Sequence, residues 1–175
     1  MKNVNYVDCS RFNGGCGCSD DRNKGCYCAP NITVNVSGSN GTDVPAYINA
    51  QNTGGTELAV ATTGTLVPLP NNQVLENFTV NAGNTIFTAE EAGVYLLTYT
   101  VNTVQQEDFI SRILLNGAEL ADTVYDPATT DDRYNVTTLV TLAQGDTISL
   151  QLYDVTDTIT LQNGVGASLT LVKIA

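Results

Sequence analysis

From residue 44 onward, apolar and polar residues alternate in short runs, and Gly, Asn, Asp and Pro break the runs. A period of two is the mark of a strand with one face in a core. It is cleanest over 147–155, where Ile148, Leu150 and Leu152 fall on one face and Ser149, Gln151 and Tyr153 on the other. Similar runs predict strands over 46–51, 57–61, 65–70, 73–80, 85–89, 109–117, 120–125, 133–146, 158–163 and 166–175. The turns between them hold residues that accept positive φ or lack a donor: Gly54-Gly55, Asn116-Gly117, Gly145-Asp146 and Gly164. The chain is organised around GVYLLTYTVNT, residues 93–103. Here alternation weakens: Tyr95, Leu97, Tyr99 and Val101 share one face, and Val94, Leu96, Thr98 and Thr100 the other. Two apolar faces need two covers, so the reading expects a facing sheet on one side and a neighbouring subunit on the other. No helical period is present. About ten strands without a helix predict an all-β sandwich or barrel, with the last strand pinned inside a sheet.

Composition agrees: Thr, Asn, Gly and Val are abundant, charged residues are only 14% of the chain, and there is no Trp or His. The net charge of −11 is uneven. Residues 1–30 hold four basic and three acidic side chains, a net +1. Residues 31–175 hold three basic and fifteen acidic ones, a net −12. Such a body repels nucleic acid and anionic lipid, so neither is an expected partner. No apolar run approaches the roughly 20 residues of a membrane-spanning helix. Met1–Asp8 has one Lys and no apolar core, so no secretory leader is expected.

All five cysteines, Cys9, Cys16, Cys18, Cys26 and Cys28, lie in residues 1–30, among Gly, Asn, Asp and Ser. That segment is too polar to fold alone and needs staples, metal or a partner. Zinc prefers C-x2–4-C hairpins, and the spacing here is C-x-C with no His. Intrachain disulfides alone leave one thiol over, because five is odd. A mixture of intra- and interchain bonds uses them all, and is the reading preferred. Disulfides persist in oxidising surroundings. A chain without a leader reaches these when it is assembled in a cell that later lyses, as bacterial spore outer layers are. Three regions follow: a Cys-rich arm (1–30), a linker or short strand (31–43) and a body (44–175).

The body resembles the C-terminal domain of the Bacillus collagen-like exosporium glycoproteins and, more broadly, trimeric jelly rolls of the tumour necrosis factor and complement-head type. AYINAQNTGG (46–55), TLVPLP (65–70), TIFTAEEAGVYLLTYTVNT (85–103), ILLNGAEL (113–120), VTLAQGDTISLQL (140–152) and ASLTLVKIA (167–175) carry the resemblance, in that order. It implies a ten-stranded jelly roll, a homotrimer and an extracellular place on a spore surface. It also implies that Tyr95, Leu97, Tyr99, Leu169 and Leu171 line the trimer interface, although the same residues would equally fill a core. The namesake's Gly-X-Y stalk is missing: residues 31–42 do not repeat Gly every third position. A trimeric head with a cysteine arm suits a repeating subunit whose arm grips the next trimer, with a spore-surface anchor protein as a further partner.

The sequence bears on two other function classes. A surface adhesin would bind carbohydrate or a receptor, and the acidic loops 105–108 and 126–132 could take calcium, though neither has the spacing of a defined calcium loop. An enzyme would need carboxylates or Tyr for proton transfer, and no nucleophile elbow or P-loop occurs. The expectation is a structural protein without catalytic residues, metal or cofactor.

Overall fold

A computed structural model describes residues 44–175. The cysteine arm and the linker, with Cys9, Cys16, Cys18, Cys26 and Cys28, lie outside the described residues. These form thirteen strands: β1 (Tyr47–Gly54), β2 (Glu57–Val60), β3 (Thr65–Leu66), β4 (Asn71–Glu76), β5 (Phe78–Val80), β6 (Phe87–Ala89), β7 (Gly93–Glu107), β8 (Ile110–Leu115), β9 (Ala118–Glu119), β10 (Asp131–Leu142), β11 (Thr147–Tyr153), β12 (Asp157–Thr160) and β13 (Asn163–Lys173). A five-stranded sheet runs β10-β7-β13-β1-β4 and a six-stranded one β5-β6-β11-β8-β9, with β3 also on β11; β12 and β2 pair by themselves. All pairings are antiparallel.

One expected run divides into two strands and one expected strand is replaced by a turn. Residues 73–80 were expected to form one strand. Asn77, at φ 55°, divides them and sends β4 to one sheet and β5 to the other. Asn tolerates this left-handed conformation better than most residues, and the alternation on either side hides the break. The strand expected at 120–125 is instead a 3-10 turn over Ala121–Thr123, flanked by β9 and an isolated Ser111–Tyr125 bridge. Thr123 explains it: its hydroxyl donates to the Leu120 carbonyl at 2.6 Å and accepts the Ile113 N–H at 2.9 Å, so a side chain replaces ladder bonds. The Asn116-Gly117 turn falls where expected, with φ of 54° and 78°, as a tight primed hairpin needs.

The inner faces of the two sheets enclose one core. Ile48, Ala50, Tyr95, Leu97, Tyr99, Val101, Leu169 and Leu171 come from the five-stranded sheet, and Phe87, Ile113, Ile148, Leu150 and Leu152 from the six-stranded one. Tyr99 has a polar end to satisfy there. Its hydroxyl donates to the Thr123 carbonyl at 2.7 Å and lies 3.0 Å from Ser111 Oγ, and burial pushes its pKa up to about 12. Phe109 stacks on Tyr134 with centroids 4.1 Å apart, and Tyr125 meets Tyr134 edge-on. The last strand, β13, is the middle of its sheet, flanked by β7 and β1.

Candidate functional site: the outer face of the five-stranded sheet

Which face of β7 turns inward decides what the protein can offer a partner. Along Gly93–Val101 the odd residues from 95 are buried and the even ones reach the surface. Tyr95, Leu97, Tyr99, Leu169 and Leu171 are all 0% exposed within one copy of the chain. The interface expected of these five is therefore corrected: they face the opposite sheet and have no surface left for another subunit. The sequence could not choose between Leu96 and Leu97, because both faces of β7 carry leucine.

The outer face is built in rows by the strand register. Leu139 of β10 pairs with Leu96 of β7, Leu96 with Val172 of β13, and Val172 with Tyr47 of β1. Leu139 is 57% exposed, Leu96 41% and Val172 37%, and Ile174 beyond β13 is 55% exposed. The next rows are polar but neutral. Thr137, Thr98, Thr170 and Asn49 form one, and Asn135, Thr100, Ser168 and Gln51 the other. Their hydrogen bonds run across the strands: Thr98 and Thr137 hydroxyls lie 3.0 Å apart, Asn135 Nδ2 donates to Thr100 Oγ1 at 2.8 Å, and Thr170 Oγ1 donates to Asn49 Oδ1 at 3.3 Å. Across β10, β7, β13 and β1 these three rows carry no charged side chain; the first row continues at the β4 edge to Glu76, which pairs with Tyr47. On a body with three basic and fourteen acidic side chains, that is the face on which copies can meet with least repulsion.

The sheet edges differ in how they are protected. β5 and β9 have three and two residues, and β4 contains Asn72 at φ 49° with a register shift against β1. Short or irregular edges resist pairing with other chains. β10 is twelve residues long, and its charged residues, Asp131, Asp132 and Arg133, are all at one end. Tyr134–Leu142 is free of charge and proline, and continues the neutral face to the sheet's margin.

The acidic loops do meet, since β7 Glu107 pairs with β10 Asp131. Asp131 is already engaged: Oδ2 accepts the Tyr125 hydroxyl at 2.8 Å and Oδ1 accepts the Asp132 and Arg133 N–H groups. The Tyr125 hydrogen bond first, and the backbone donors after it, hold its carboxyl below the usual range. Among the described residues no three acidic or cysteine side chains are arranged to hold a metal ion. Arg112 is likewise engaged, stacked 3.8 Å from the Tyr153 ring centroid, donating to Gln151 Oε1 at 2.8 Å and paired with Glu119 at 2.5 Å.

Comparison with known proteins fits this architecture. Murine APRIL solved at pH 8.0 superposes with a TM-score of 0.58 at 16% identity, covering 74% of this chain and 99% of that one. The pH 5.0 form of murine APRIL gives 0.52 at 16% identity, with the same coverage of 74% and 99%. Bushbaby GITRL gives 0.49 at 16% identity, covering 75% of this chain and 95% of that one. At 16% identity the likeness to APRIL is one of fold, the jelly roll of the tumour necrosis factor type. No curated protein matches the chain. The BclA C-terminal domain family matches residues 48–175, nearly the whole sandwich, and the chain belongs to that family.

Proposed function

We propose that the protein is a structural subunit of a bacterial spore-surface fibre or exosporium layer. Copies associate as homotrimers through the outer face of the five-stranded sheet, and trimers are joined through disulfides of residues 1–30. The observation that carries this reading is the neutral face of a strongly acidic chain, with Leu139, Leu96, Val172 and Ile174 exposed at one end of it. An assembly role agrees with family membership, and the long neutral edge of β10 gives the face a margin that can meet a second copy. A head-to-tail contact in which one copy's β10 margin meets the next copy's face closes into a three-membered ring when the rotation between copies is a third of a turn.

The test has two parts. Sedimentation of the reduced full chain should give a single trimeric species. Oxidised material on a non-reducing gel should give a ladder that collapses with reductant, and electron microscopy should show fibres in the oxidised sample. A reduced chain that stays monomeric at high concentration sinks the trimer. Trimers that never join, oxidised or not, sink the fibre.

A further inference from the structure

Outside that face, one cluster of side chains is arranged for chemistry of its own. Lys173, the single lysine among the described residues, pairs through Nζ with Glu91 Oε1. The other oxygen of the same carboxylate accepts a hydrogen bond from Asn77 Nδ2 at 3.3 Å. One carboxylate thus holds an amine and a primary amide side by side. The geometry points to a self-formed amide crosslink between Lys173 Nζ and Asn77 Cγ, with Glu91 moving the protons.

Each partner is fixed in place by backbone structure. Asn77 is the left-handed residue between β4 and β5, and its carbonyl accepts the Glu90 N–H at 2.9 Å, which ties it to the Glu91 loop. Lys173 ends β13 opposite Tyr95, and its N–H donates to the Ala46 carbonyl at 2.8 Å. Its stem crosses Gly93, where a Cβ would come within 2.5 Å of Lys173 Cε and 2.6 Å of the Ala175 carbonyl. The glycine is therefore needed for close approach and not for an unusual φ. Beneath the cluster the Tyr95 hydroxyl donates to the Glu91 carbonyl at 2.8 Å, and Phe78 meets the Tyr95 ring edge-on at 5.6 Å. The Lys173 side chain is 20% exposed and that of Glu91 43%.

The reaction needs no oxidant or cofactor. Glu91 takes a proton from the Lys173 ammonium, and the freed Nζ pair attacks Asn77 Cγ. The carbonyl π pair moves onto Oδ1, and protonated Glu91 delivers its proton to Nδ2. The Cγ–Nδ2 bond breaks with its electron pair on nitrogen, and ammonia leaves as the carbonyl reforms. The extra proton on Nζ passes through Glu91 to the departing ammonia. The products are one secondary amide, one ammonium ion and the original Glu91 carboxylate. Fixed side-by-side placement supplies the effective concentration that a free amine and amide lack in water. The bond would tie the last strand of the five-stranded sheet to the crossover between the sheets, independently of the disulfides and of the trimer.

Mass spectrometry of the reduced full chain tests this. The wild-type chain should weigh one ammonia less than its sequence. After trypsin, residues 25–112 and 134–175 should travel as one branched species, cut at Lys24, Arg112 and Arg133 but not at Lys173. Glu91→Gln keeps hydrogen-bonding groups but not the base, and Lys173→Arg keeps the cation but not the nucleophile. Both should have the full sequence mass and separate peptides, with wild-type circular dichroism confirming the fold. A succinimide at Asn116-Gly117 loses the same ammonia but leaves the peptides separate, and that result counts against the crosslink. A wild-type chain of full sequence mass after prolonged incubation near neutral pH, as monomer and as oligomer, overturns the proposal and leaves an ordinary ion pair. A branched peptide that persists in Glu91→Gln overturns the role given to Glu91.

Discussion

Replacing Leu96 and Leu97 one at a time by Asp separates face from core within two adjacent residues. Full burial of a leucine side chain is worth about 1.5–3 kcal/mol. Leu96 is 41% exposed, so covering the remainder yields about 0.6–1.2 kcal/mol per copy. An Asp there forfeits that gain and must shed water from a carboxylate, which costs several kcal/mol per ion when no partner is present. Taking only about 2 kcal/mol per copy, three copies lose about 6 kcal/mol, roughly four powers of ten in the association constant. The fold should survive, because the side chain points to solvent in the single copy. Leu97 is 0% exposed, and truncating such a leucine alone costs about 2–5 kcal/mol before the charge is counted. Leu97→Asp should therefore consume most of a domain's usual 5–15 kcal/mol of stability. The assay is sedimentation velocity with circular dichroism on the reduced full chain: Leu96→Asp should be folded and monomeric, and Leu97→Asp unfolded. A Leu96→Asp chain that remains trimeric, or one that unfolds, refutes the face assignment. Leu96→Thr, matching its hydroxylated neighbours, should keep the fold and only weaken the trimer.

Tyr99→Phe strands the buried Thr123 carbonyl, and should cost about 1–2 kcal/mol in urea unfolding without changing the oligomer. Gly93→Ala forces a Cβ against Lys173 and the Ala175 carbonyl, so it should cost about 1–3 kcal/mol and lower the yield of any crosslinked chain. Asp146 is held below the usual carboxylate range, by the Asn116 side chain first and then by the Ala143 N–H. With the folded pKa depressed, its contribution is whole above the unfolded value of about 4 and is lost as pH falls through the folded one. Asp146→Asn should lower stability at neutral pH and change it less below pH about 4, which flattens the acid limb of a stability–pH curve; an unchanged acid limb would refute this.

Much of the sandwich was legible because period-two alternation reports burial directly. The run 147–155 put Ile148, Leu150 and Leu152 in the core as expected, but its polar face is covered too, with Ser149 and Gln151 buried rather than facing water. Local exceptions were not legible. Asn77 breaks an alternating run through its φ alone, and Thr123 replaces a strand through one hydroxyl. β7 reaches Glu107, beyond the expected end at residue 103, because it bulges out at Val104–Gln106 and pairs again with Asp131. The outer face was half legible. Leu96 and its threonine neighbours were seen to need a cover, but Leu139, Val172 and Ile174 join them only through register. Lys173, Glu91 and Asn77 are far apart in the chain, and no spacing rule brings them together.

The central place of β13 bears on timing during synthesis. Tyr47 pairs with Val172 and Leu97 with Leu171, so two strands made early wait for one made last. On the ribosome, β1 and β7 lack the strand that lies between them until Lys173 has left the exit tunnel. Pairings so distant in sequence form slowly. A nascent chain cut short before residue 163 lacks the whole of β13, and so cannot complete the surface on which copies would meet. Incomplete products would then be kept out of the assembly by topology alone, without a separate proofreading factor.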